Sequence, residues 1–128
     1  MLWQIATIVF LNIAVYAHSL KLGYVSDDVA GLSRKFKSRR ERIYNCIVSV
    51  PSGNKRIDHA LNILAHTLVC VMMYLALGQN EVSFMAALLF SVNPTNNQGS
   101  VWISGRHYAW CAFFVLSALW VIKSFWNS

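Results

Sequence analysis

The sequence predicts an all-α polytopic membrane protein with three full transmembrane helices. One short or kinked hydrophobic helix and an interfacial amphipathic basic helix complete it. Composition is the first ground. Of 128 residues, 56% are hydrophobic and 12% charged, against about 45–50% and about 25% in soluble domains, and the mean hydropathy is +0.44. The second is the recurrence of long apolar runs, three of them sufficient for a hydrocarbon core of about 30 Å. The third is confinement of charge. Residues 21–58 hold Lys21, Arg34, Lys35, Lys37, Arg39, Arg40, Arg42, Lys55 and Arg56, nine of the eleven basic side chains, with Asp27, Asp28, Glu41 and Asp58. This balance excludes a soluble enzyme, a disordered tail and a free nucleic-acid-binding domain.

The chain reads as a single membrane domain. Residues 1–20 carry no charge and form the first span. They have no basic n-region, and Ala17-His18-Ser19 is a poor cleavage site, so the segment reads as a retained helix rather than a signal peptide. Residues 57–78 form the second span. Its His59, Asn62 and His66 fall at i, i+3 and i+7 on one helix face, and polar side chains inside a membrane face protein or water. That face is expected against a neighbouring helix as structural polar contact.

Residues 82–106 read as a short helix and a loop. The apolar run 82–92 reaches only about 16 Å at 1.5 Å per residue. Pro94 follows, lacking an amide donor and clashing with the preceding turn, so the helix kinks or stops there. Residues 107–126 form the last span, with Trp120, Trp126 and Lys123 suited to an interface.

Between the first two spans lies a loop, 21–56, whose Val29–Val50 stretch repeats Leu32, Phe36, Ile43 and Ile47 at helical spacing among cations. This predicts an amphipathic helix lying in the interface with its basic side toward headgroups; a solvated basic loop is the alternative. Arg34, Lys35, Lys37, Arg39, Arg40, Arg42 and Arg106 are the candidate phosphate- or lipid-binding residues, because guanidinium and ammonium groups grip phosphate. Membrane lipids are the expected partners and nucleic acid is not. Cys46, Cys70 and Cys111 form no ligand pattern, the histidines lack the placement for a bis-axial haem, and no metal site is read.

Counting spans gives a topology. If residues 82–92 cross, loops 21–58 and 93–106 share one side, which brings Asp27 and Asp28 to the side of Asn93, Gln98 and Arg106. The positive-inside rule puts that side in the cytoplasm or an organelle matrix.

Several stretches carry a family likeness. Tyr24-Val25-Ser26-Asp27-Asp28 resembles the aromatic-x-x-Asp-Asp/Glu element in the first loop of GT-C glycosyltransferases. These are polytopic enzymes that use polyprenyl-phosphate sugars. His59-Ala60-Leu61-Asn62-Ile63-Leu64-Ala65-His66 is similar to the H-L-x-N-L-L-x-H helix of their O-mannosyltransferase-like, TPR-linked group. Ala86–Pro94 and Trp102–Arg106 resemble that group's AALLFAxHPxHxExVxWISGR signature. The likeness covers only the N-terminal part of such an enzyme.

It implies that one of Asp27 and Asp28 is a general base on an acceptor hydroxyl, with the other orienting it or holding a divalent cation. The other reading of these aspartates, from the residues alone, is an Asx turn or a helix N-cap. It also implies a polyprenyl-phosphate sugar near Arg106 and the basic cluster. Where the pattern has His, His and Glu, this chain has Asn93, Asn96 and Gln98. Amides keep hydrogen bonding but cannot exchange protons near neutral pH. Moreover, a GT-C active site faces the lumen or periplasm, opposite to the charge-derived orientation. Two functions follow as expectations: a partial or degenerate glycosyltransferase module holding a lipid-linked sugar phosphate, or a non-catalytic accessory subunit that keeps the helical scaffold within a complex of other membrane subunits.

Overall fold

The computed structural model describes residues 1–25, 27–96 and 100–126, the side chain of Asp27 excepted. Among them every regular element is helical: α1 (Leu2–Tyr16) running into a 3₁₀ turn (Ala17–Lys21), α2 (Asp27–Leu32), α3 (Arg39–Val48), α4 (Lys55–Ala76), α5 (Glu81–Val92) and α6 (Arg106–Trp126). Three helical segments, Leu2–Lys21, Lys55–Ala76 and Ile103–Trp126, are long and apolar enough to cross a membrane, and Glu81–Val92 is a shorter apolar helix.

α4 is the central rod, packed by α1, α5 and α6, with α1 also against α5. Its start is set by Asn54, whose side chain accepts from the amides of Arg56 and Ile57; this satisfies two of the donors that a helix N-terminus leaves unpaired. Its end is set by Gly78 at φ 116°, a conformation that favours a residue without Cβ. Asn80 and Ser83 then form a reciprocal capping box that launches α5.

Two apolar clusters hold the rods together. Ile8, Cys70, Tyr74, Phe84 and Ala87 join α1, α4 and α5. Ala65, Val69 and Ala109 join α4 to α6, and the two alanines let those backbones approach closely. Between the rods runs a buried polar chain. Asn12 donates to Ser91 Oγ at 3.0 Å, Cys70 Sγ lies 3.7 Å from Asn12 Oδ1, and His66 Nε2 lies 3.8 Å from the same sulfur. His66 also packs between the rings of Tyr16 and Phe90. Buried polar groups are tolerated when paired in this way. Most of α6 beyond Ala109 is left uncovered, with Phe114, Val115, Leu119 and Ile122 among its exposed residues.

The single helix expected over Val29–Val50 is two helices. The break between them has local causes. Ser33 Oγ donates back to the Ala30 carbonyl at 2.8 Å, closing α2. Ser38 N-caps α3, accepting from the Glu41 amide at 3.1 Å, while Glu41 Oε2 accepts from the Lys37 amide at 2.8 Å. The Ser38 cap, with Glu41 reaching back to the residue before it, starts a new helix. Gly31 faces the Pro51 ring so closely that a Cβ there would sit 2.7 Å from Cδ, which seats α2 on the α3–α4 connection.

Candidate functional site

The two loops that topology places on one side do converge, and Arg106 is where they meet. It is the first residue of α6 and its side chain is wholly buried. Nε donates to Asn62 Oδ1 at 2.5 Å, and Nη2 donates to the Asp58 carbonyl at 3.0 Å. Nη1 donates to the carbonyls of Cys46 and Ile47, the latter at 3.4 Å. Those carbonyls lie in the last turn of α3, where backbone acceptors have no helical partner and a cation is favoured by the helix dipole. Trp110, one turn further along α6, donates from Nε1 to the same Ile47 carbonyl at 3.0 Å.

Asp58 supplies the countercharge. Its Oδ1 lies 3.8 Å from Arg106 Nη2, and neither side chain is exposed. The carboxylate accepts from the Ser52 amide at 3.1 and 2.9 Å and from the Tyr24 hydroxyl at 2.8 Å. Burial, and then the hydrogen bond to Asp58 with its negative charge, push the Tyr24 phenol well above its ordinary pKa. Asn62 completes the knot by donating to the Trp102 carbonyl at 2.8 Å.

Asp28 makes the second junction. Its Oδ1 accepts from the Ser104 amide at 2.8 Å and from Ser104 Oγ at 2.6 Å, and the residue is 1% exposed. It therefore does not cap its own helix; it tethers α2 to the turn that precedes α6. The side chain of Asp27 lies outside the described residues, so the expected acidic pair is represented by Asp28 alone. Among the described residues, no three His, Cys, Asp or Glu side chains gather as a metal site.

The remaining expected residues divide. His59, Asn62 and His66 are all buried, on the face that their spacing selects. Asn93 is exposed at the end of α5, where its Oδ1 accepts from the Thr95 amide and hydroxyl; it closes a turn and joins no site. Gln98 lies outside the described residues. Arg106 is corrected: with its N–H groups directed at Asn62, Asp58 and two backbone carbonyls, it has no free fork for phosphate, and it does not snorkel either.

The other cations behave differently. Arg34, Lys35, Lys37, Arg39, Arg40 and Arg42 are all exposed. Among the described residues no acid forms an ion pair with any of them, the Arg106–Asp58 contact being the one such pair. Arg34, Lys35, Arg39 and Arg42 line an open cleft of about 670 Å³ between α2, α3 and Pro51–Gly53. The Arg34 guanidinium lies 6.0 Å from the centre of the Phe36 ring, within cation–π range. Arg42 donates to the Ser52 carbonyl at 3.3 Å, fixing one wall. Beside the cleft, Leu32, Ile43, Tyr44 and Ile47 present apolar surface outward.

Asp58, Ser104 and Tyr24 were not among the expected site residues. Asp58 had a readable signal: it sits four residues before Asn62, on the same face as the polar residues of the second span. Ser104 lay within the Trp102–Arg106 stretch without a role assigned to it, and the α3 carbonyls had no signal.

Fold and site together define an all-helical protein with three membrane-length apolar helices whose loops are tied by buried polar contacts. Compared with family models, curated proteins and solved structures, the chain matches none of them.

Proposed function

We propose that the chain is a multi-pass integral membrane protein, a partial or degenerate GT-C-like module that holds a lipid-linked sugar phosphate at the membrane surface. One observation carries this reading: the basic cleft between α2 and α3, with four exposed cations in its lining. Its volume falls in the range of small-molecule sites, about 300–1,000 Å³. Unpaired guanidinium and ammonium groups attract phosphate, and the apolar residues beside the cleft suit burial among acyl chains. The motif likeness adds the identity of the scaffold and of the donor. The concentration of cations on one face favours a cytoplasmic or matrix orientation for it.

A second reading, a non-catalytic accessory subunit, draws on a different observation. Asp28 and Arg106, which the likeness would use for chemistry, are both buried and hydrogen-bonded within the protein. They serve as fasteners there.

The test uses the full chain in nanodiscs of phosphatidylcholine doped with polyprenyl phosphate. The variant R34Q/K35Q/R39Q/R42Q should lose at least about tenfold in retention of the phosphorylated lipid, the effect of removing a charge-assisted contact. Equal retention would overturn the cleft. Transfer of labelled sugar from a polyprenyl-phosphate donor by wild type, abolished in D28N, would favour the enzyme over the subunit. Retention without transfer would favour the subunit.

A further inference from the structure

A second cavity lies apart from the basic cleft, where the α1–α2 connection passes the start of α4. Its volume is about 400 Å³, and Leu22, Val25, Val101 and Trp102 give it apolar walls. Two polar side chains line it, Asp28 and His59. His59 is 2% exposed, yet among the described residues neither of its ring nitrogens has a hydrogen-bond partner. The backbone of Gly23 and Val101 comes near the ring without completing a bond. An imidazole in that condition is costly, because burial removes its water and nothing replaces it. Asp28 is committed to Ser104 through Oδ1, so it does not satisfy the ring.

We propose that this cavity binds the hydroxyl head of a single-chain aliphatic alcohol, with His59 as the recognition residue. A neutral imidazole offers one donor and one acceptor. A hydroxyl is the small group that matches it: it can accept from the ring N–H while its one proton is donated toward the Asp28 carboxylate, or donate that proton to the unprotonated ring nitrogen instead. An ammonium head would meet the carboxylate as well, but stripping its water inside apolar walls costs far more than stripping a hydroxyl. A carboxylate head would face Asp28 with like charge. The walls suit a hydrocarbon chain, and Leu22 and Val25 remain partly exposed at the rim. Phosphate plays no part, so this site does not depend on the basic cleft.

Gly23 provides the test. It lines the cavity, and a Cβ built there meets no atom within 4 Å, so G23V adds bulk to the lining while His59 and Asp28 are kept as residues. The full chain, carrying ¹⁵N-labelled histidine in detergent micelles, is titrated with 1-octanol, octane, octylamine and octanoate. The assigned His59 ring nitrogens should shift saturably with 1-octanol only. G23V should raise the half-saturating concentration by at least about tenfold, because the added bulk crowds the bound alcohol, while leaving the unliganded melting temperature unchanged. H59F, the second variant, should lose the 1-octanol response read from Trp102 fluorescence. An equal or stronger response to octane, octylamine or octanoate, or a wild-type response in G23V, would overturn the proposal.

Discussion

Arg106 Nη2 and Asp58 Oδ1 face each other at 3.8 Å with neither side chain exposed, joining the first residue of α6 to the first turn of α4. The separation is long for a direct ion pair. The shorter contacts of the guanidinium go to Asn62 and to backbone carbonyls of α3 and α4. Charge balance therefore comes from Asp58 and orientation from the neutral acceptors.

Removing one partner of a buried pair leaves the other uncompensated. R106M should destabilise the chain by about 3 kcal/mol, read as the shift in an unfolding titration in mixed micelles. R106K should recover little of this, because an ammonium cannot span the carbonyls and Asn62 together. The double variant R106M/D58L should regain part of the loss but not all, since Asp58 also accepts from Ser52 and Tyr24.

Asp28 and Ser104 should behave as one unit. D28A removes the bonds from both the Ser104 amide and its hydroxyl, whereas S104A removes only the hydroxyl bond. D28A should therefore cost more, and the two effects should be non-additive, with a coupling of about 2 kcal/mol from the shared hydroxyl bond in a double-mutant cycle. Simple additivity would mean that the two side chains act separately.

Tyr24 predicts an alkaline limit. Its phenol is neutral in the folded chain to a higher pH than in the unfolded one, where it ionises near 10. The contribution is complete below that value and declines as pH rises from about 10 toward the folded pKa, because only the unfolded chain releases the proton there. The gap between the melting temperatures of wild type and Y24F, followed from pH 8 to 11, should be constant below about pH 10 and narrow above it.

Gly31 tests the seat of α2. Alanine is the better helix former by about 1 kcal/mol, yet a Cβ at this position would overlap the rigid Pro51 ring. G31A should destabilise by about 1–3 kcal/mol, the range for overpacking, and P51A should relieve it. A stabilised G31A would show that the helix and the proline do not press on one another.

The long helices were legible because long apolar runs have little else to become, and the bounds found differ from expectation by a residue or two at the caps. The buried face of His59, Asn62 and His66 followed from spacing. The meeting of the two loops was expected on one condition, that residues 82–92 cross, and the packing of α2 against the turn before α6 brings them together. The two-piece build of residues 29–50 was missed, although the sequence holds a signal for it. Ser38 and Glu41 have capping-box spacing, but the apolar repeat of Leu32, Phe36, Ile43 and Ile47 runs straight across it and masks the break. Arg106 was misread for a different reason. Backbone carbonyls answer a guanidinium as well as phosphate oxygens do, and they leave no mark on residue types. The orphaned ring of His59 was likewise invisible, since a polar residue on an apolar face gives no sign of whether its neighbours complete it.

The Arg106 knot bears on the order in which the chain assembles. Cys46, Ile47, Asp58 and Asn62 all leave the ribosome well before residue 106. Until then an aspartate at the head of α4 stands without its cation, and the end of α3 has only solvent or lipid headgroups for its last carbonyls. Completion of the early elements thus waits on α6, and the arginine acts as the latch that closes them. A nascent chain halted before that point should be open to proteases and quality-control factors at the 21–58 loop, and one extended past it should not.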